Sequence, residues 1–279
     1  MKFSEQDYVY ITRNGEAFAA LVYRPESADD TATPVVIDIH GGAWSSGHRK
    51  SGQHYDSSLA AAGICVVSID FRQGPAYKHP AAIEDIAAAI DWCLNADKLD
   101  LERSSLGLIG SSSGGHLAML AALDAGARRA DSPIEQVDYV IALWPVSNPI
   151  ARFQYVTARV DEERDPSVRF SPDKLIEGHH AYFESPQQMS DAAIQNVLLE
   201  NRQRHLPRLF IVQPELDQNV PVMMSQTLKG AWKLAGGSVH YKLYEGVGHA
   251  FAHVESEQSQ RCISDMIEYI LSRGYSDNA

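Results

Sequence analysis

Short apolar, β-branched runs alternate along this chain with longer stretches whose apolar residues recur every three or four positions. The first pattern is that of a strand buried on both faces, and the second that of an amphipathic helix. Their alternation predicts a mostly parallel sheet covered by helices. Strands are predicted over 8–12, 19–23, 35–39, 64–69, 106–109, 137–143, 209–213 and 239–244. The first two flank Asn14-Gly15, a pair suited to the left-handed backbone of a tight hairpin. Helices are predicted over about 53–62, 80–95, 114–125, 221–235 and 255–272, with Gly63, Gly126 and Gly236-Gly237 as stops.

The stretch 145–206 breaks the rhythm, because it holds no convincing buried strand. It contains Pro149, Pro166, Pro172 and Pro186 as helix breakers, the charged run Asp161-Glu162-Glu163-Arg164, and aromatics such as Phe153, Tyr155, Tyr182 and Phe183. A long insertion without strands inside an α/β domain usually serves function. The expected organisation is one domain over 1–279, with 145–206 inserted as a helical cap over the strand ends.

Length and composition narrow the function classes. A chain of 279 residues can bury a sizeable core. A formal charge of −12 disfavours nucleic acid and anionic membrane surfaces as partners. Residues 1–7 lack the apolar core of a secretory signal, and no apolar run reaches bilayer length, so a cytoplasmic location is expected. Cys65, Cys93 and Cys262 are odd in number and far apart, which predicts buried free thiols rather than disulfides or a zinc site.

Chemistry concentrates at a few places. Gly110-Ser111-Ser112-Ser113-Gly114-Gly115 follows a predicted strand and precedes a predicted helix. A G-x-S-x-G elbow needs that context, with residues lacking bulk two before and two after the nucleophile. Gly110 and Gly114 satisfy this for Ser112. A rival frame takes Ser113, but puts Ser111 where glycine is preferred. At the end of an earlier strand stands His40-Gly41-Gly42-Ala43-Trp44. Small residues there let backbone N–H groups approach a developing oxyanion. The expected donors are the amides of Gly42, Ala43 and Ser113, with Gly41 and the His40 ring supporting the loop.

A serine hydroxyl needs a base, and the base an orienting acid. Of the histidines after Ser112, His249 lies in a glycine-bearing loop just past the last predicted strand, where imidazole can project over the strand ends. His253 follows it as a surface or loop-supporting residue. Past the penultimate strand lie Glu215 and Asp217; Asp217 is preferred as the acid and Glu215 stays an alternative. Trp44, Trp144 and Phe251 are candidates for lining a substrate pocket.

These pieces together resemble the α/β-hydrolase superfamily. The likeness is to its esterase branch with HGG-type oxyanion loops, related to hormone-sensitive lipase-like, kynurenine formamidase-like and feruloyl-esterase-like enzymes. Val66-Val67-Ser68-Ile69-Asp70-Phe71-Arg72 and His79-Pro80-Ala81-Ala82-Ile83-Glu84-Asp85 add to it. The resemblance implies an α/β-hydrolase fold and hydrolysis of small to medium carboxylic esters through an acyl-enzyme. Ser112, Asp217 and His249 would form the triad, with neither metal nor organic cofactor. The partner would be a small-molecule ester. The N-terminal cap of hormone-sensitive lipase-like members is missing, so 145–206 would supply the lid. Aryl-formamide hydrolysis is the alternative reaction, and a non-catalytic small-molecule-binding role is a third reading. The edge position expected of 239–244 makes a homodimer conceivable.

Overall fold

The computed structural model describes residues 1–26, 32–95, 99, 101–128, 137–160, 170–200 and 206–272. Its strands are β1 (Phe3–Arg13), β2 (Glu16–Pro25), β3 (Thr33–Ile39), β4 (Cys65–Ile69), β5 (Arg103–Ser111), β6 (Tyr139–Leu143), β7 (Arg208–Pro214) and β8 (Val239–Tyr244). Each predicted strand falls within or across one of these. β1 runs well beyond its predicted ends because most of its side chains face solvent. It is held by its ladder to β2, not by an apolar pattern. Asn14 and Gly15 turn the hairpin with φ of 49° and 84°.

The strands form one sheet in the order β1-β2-β4-β3-β5-β6-β7-β8. β1–β2 and β2–β4 pair antiparallel, and every pair from β4 to β8 is parallel. β8 is an edge strand, as expected.

Alternate residues of the central strands feed two apolar layers. Val35, Ile37, Val140 and Ile211 pack with helices α2 (Ala81–Leu94), α3 (Ser113–Arg128) and α8 (Val222–Leu234). Val36, Ile141, Phe210 and Val212 pack with α1 (Gln53–Ala61) and α9 (Glu257–Leu271). Burial on both faces explains why these strands read as continuous apolar runs. Cys65, Cys93 and Cys262 are buried free thiols.

Between β6 and β7 lie α4 (Pro149–Thr157), α5 (Pro172–Tyr182), α6 (Pro186–Asp191) and α7 (Ile194–Glu200). Three prolines read above as breakers instead open helices. Asn148, Ser171 and Ser185 cap α4, α5 and α6, and the proline takes the first turn, where its missing N–H costs nothing. Pro166 and the charged run 161–164 lie outside the described residues. Among the described residues no helix is long and apolar enough to cross a membrane.

Candidate active site

β5 ends at Ser111 and α3 begins at Ser113, so the whole reversal falls on Ser112, whose φ is 54°. A non-glycine residue in this region carries about 1–2 kcal/mol of local strain. The turn closes only because its flanks lack side chains. A Cβ on Gly110 would overlap the backbone of Gly114, and one on Gly114 would overlap the carbonyls of Ile39 and His40. The Ser112 amide is tied to the Leu143 carbonyl at 2.8 Å, which fixes the bend against β6.

His249 stands after β8, ahead of Ala250, which itself has φ 66°. Its Nε2 lies 3.1 Å from Ser112 Oγ, and its Nδ1 lies 2.8 Å from Asp217 Oδ2. A carboxylate can only accept, so Nδ1 donates and Nε2 keeps a lone pair facing the hydroxyl. Asp217 Oδ1 accepts from the amides of Asn219 at 2.9 Å and Val220 at 2.8 Å. The Asp217 side chain is fully buried, so its direction is set by the β7–α8 loop and not by solvent.

The two alternatives fall elsewhere. Ser113 is buried, and its hydroxyl accepts from the Trp44 amide at 3.2 Å. Glu215 accepts from the Gly246 amide at 2.9 Å on the exposed side of the His249 loop. His253 is part-buried at the border of the Ser112 cavity, and its Nδ1 donates to the Ser51 carbonyl at 2.8 Å.

The loop after β3 closes over the elbow. The Gly41 amide donates to Ser111 Oγ at 3.0 Å. A Cβ on Gly41 would stand 2.8 Å from the Ser111 carbonyl oxygen and 3.3 Å from Ser112 Cβ. Gly42, Ala43 and Trp44 all have positive φ, 122°, 52° and 60°, which turns this loop's backbone sharply. Among the described residues the amides of Gly42 and Ala43 donate to no protein acceptor. The Ser113 amide opens α3, where the first four N–H groups of a helix lack intrahelical acceptors. His40 lies against the loop. Its Nδ1 donates to the Gly41 carbonyl at 2.8 Å and its ring stacks on Phe71 at 4.3 Å. Burial pushes its pKa down to about 4, so the ring is neutral.

A cavity of about 750 Å³ opens onto Ser112 and His249 and is bordered by Gly41, Gly42, Ala43 and Trp144. Of the three aromatics expected to line a pocket, Trp144 alone borders this cavity. Trp44 is instead packed among His116, His179, Tyr182 and Phe183, and Phe251 against Trp144 and Tyr244. Trp44 thereby ties the β3 loop to α3 and α5 through His116 and His179, whereas Phe251 fills the space between Trp144, just past β6, and Tyr244, at the end of β8.

Several residues at the site gave little sign of their roles in sequence. Ser111 holds the Gly41 amide; its signal is a polar residue ending an apolar strand. His116 accepts from Trp44 Nε1 at 3.2 Å and donates from Nε2 to the Ala192 carbonyl at 2.8 Å, so it joins the β3 loop to the α6–α7 junction. Burial pushes its pKa down to about 3 and keeps it neutral. Gly178 on α5 presses against Ala43, where a Cβ would meet Ala43 Cβ at 2.6 Å. Arg152 on α4 lines the cavity, and its signal is a charge on the buried stripe of Pro149 and Val156. Two motif residues, Asp70 and Arg72, act structurally. Arg72 donates to buried Asp85 on α2 through Nε at 2.9 Å, and Asp70 pairs with Arg49 at 2.5 Å.

The sheet order, the helices on its two faces and the serine elbow after β5 define an α/β-hydrolase. The chain belongs to the BD-FAE family, whose model matches residues 21–232. Esterase LipC of Mycobacterium tuberculosis is 29% identical over 242 residues, covering 82% of this chain and 56% of its own length. Esterase LipQ of the same organism is 26% identical over 264 residues, covering 90% and 58%. The chain thus spans less than two thirds of these curated relatives. The esterase of Pyrobaculum calidifontis superimposes with a TM-score of 0.80 at 26% identity, covering 96% of this chain and 85% of that one.

Proposed function

We propose that this protein is a serine hydrolase that cleaves carboxylic esters of small to medium size through an acyl-enzyme. The observation that carries the reading is the continuous line from Ser112 Oγ to His249 to Asp217, at 3.1 and 2.8 Å, beside a cavity. The esterase names of LipC and the Pyrobaculum calidifontis protein favour an ester over a formamide.

In the first half-reaction His249 Nε2 takes the Ser112 proton as Oγ attacks the carbonyl carbon. The carbonyl π electrons move to oxygen, and the amides of Gly42, Ala43 and Ser113 receive the oxyanion. Each such donor is worth roughly 10²–10³ in turnover when pre-aimed. Asp217 holds the Nδ1–H tautomer and stabilises the imidazolium. His249 then gives its proton to the departing alcohol, leaving the acyl group on Ser112. Water repeats the sequence and frees the acid. The helices of 145–206 act as the cap, since Leu175, Gly178 and Ala181 of α5 border the cavity.

The test is turnover of short p-nitrophenyl esters together with labelling by an organophosphate. The native protein should hydrolyse the esters and take one phosphoryl adduct on Ser112. The Ser112→Ala variant should fold and do neither. Undiminished hydrolysis by that variant would overturn the assignment.

A further inference from the structure

Arg152 is a charged side chain only 1% exposed, in the wall of the cavity that holds Ser112 and His249. Its Nε donates to the Asn219 carbonyl at 3.3 Å, and its Nη2 donates to the Asn219 side-chain oxygen. Its Nη1 is shut off from solvent and has no partner among the described residues. The carboxylate whose charge reaches it is Asp217. Both oxygens of Asp217 are already engaged, one by His249 and the other by the amides of Asn219 and Val220. Burial pushes the guanidinium down to about 10, which still leaves it cationic at neutral pH.

A buried cation with an unmet donor is costly to hold. Bracing the Asn219 loop accounts for two of its nitrogens but not for the third. Guanidinium is also the side chain best matched to a carboxylate, which it can meet with two parallel N–H bonds. Two other charges border the cavity, Lys174 and Glu177 on α5, and both are exposed at its outer side. His179, which feels the Arg152 charge, is held neutral by burial.

We infer that Arg152 is a specificity residue that receives a free carboxylate on the substrate, so that the preferred esters are half-esters of dicarboxylic acids. This rests on the ester-hydrolase reading above. The guanidinium would turn its sealed Nη1 towards the cavity, and the acid group would dock beside Asn219 while the ester carbonyl faces Ser112. A neutral ester would leave Nη1 as unpartnered as it is in the free protein.

The test compares monoethyl adipate with ethyl adipamate, its neutral isostere with a terminal carboxamide. The native protein should show kcat/KM at least tenfold higher for the half-ester. In Arg152→Met that ratio should fall to about one, and in Arg152→Lys it should lie between. Loss of loop bracing alone would slow both substrates together and leave the ratio at its native value, which would overturn the proposal. So would a native ratio of one or below, a result that needs no variant. Calorimetry on Ser112→Ala separates the two readings. Binding of the half-ester at least tenfold tighter than the carboxamide, and lost in Ser112→Ala/Arg152→Met, supports Arg152 whatever the fate of the serine mechanism; equal binding, or a preference kept in the double variant, refutes it.

Discussion

Asp217 meets His249 with one carboxylate oxygen, at 2.8 Å, and the loop leading into α8 with the other, through the amides of Asn219 and Val220. The Asp217 carboxylate is therefore held by backbone on one side and by the imidazole on the other. This arrangement separates it from Glu215, two residues earlier, which reaches only the Gly246 amide on the exposed side of the loop.

Asp217→Asn should lower kcat by about 10⁴, because a carboxamide can donate to Nδ1 and so favour the wrong tautomer. Glu215→Gln keeps an acceptor for Gly246 and should cost less than about threefold, in line with an exposed neutral substitution. Steady-state kinetics on a p-nitrophenyl ester decide it. A larger loss in Glu215→Gln than in Asp217→Asn would reverse the assignment of the acid.

Gly41→Ala should lower kcat by about 10²–10³, the scale of one lost oxyanion donor. The added methyl would sit 2.8 Å from the Ser111 carbonyl oxygen, which is backbone and cannot rotate away. The loop bearing Gly42 and Ala43 must shift instead. Circular dichroism should show a folded protein, and native-like turnover would mean that this loop's amides do not take part.

Two carboxyls buried below the β3 loop should shape stability against pH. Burial pushes Asp38 up to about 7, against the hydrogen bonds it accepts from Tyr55 and Ser68. Burial and then the neighbouring Asp38 push Asp56 well above the usual carboxylate range. Between about pH 4 and 7 the native state holds protons that the unfolded chain, with carboxyls near 3.9, releases. This pair's contribution therefore falls as pH rises through that window. Buried neutral His40, His116 and His179 act in the opposite direction on acidification, but they are common to both proteins in a comparison. Asp56→Asn should raise Tm by at least ~2 °C at pH 8 and leave it nearly unchanged at pH 4. Thermal melts with the same shift at both pH values would contradict this.

Gly230→Ala should stabilise the protein by about 0.4–1 kcal/mol, since alanine restricts the unfolded chain and suits a helix. Gly230 lies exposed within α8, and a Cβ there meets nothing within 4 Å. Urea titration measures the shift. A loss of stability would mean that this turn of α8 packs against something that the glycine accommodates.

The chain order of the elements was legible because both faces of the sheet are covered. Tyr139–Leu143 had to be apolar throughout, and Val35–Ile39 is apolar but for the buried Asp38. The elbow at Ser112 was legible because a strained reversal demands glycines at fixed offsets, and His249 and Asp217 because each follows a strand end. What depends on distant packing was not. Pro149, Pro172 and Pro186 read as breakers in sequence, and the capping side chains of Asn148, Ser171 and Ser185 make them helix starts. Trp44 and Phe251 became core, because an aromatic's side is set by which helix or loop reaches it. The charge of Arg152 is plain in the sequence. Its burial between α4 and the Asn219 loop, 67 residues further on, exists only once the sheet has brought the ends of β6 and β7 side by side.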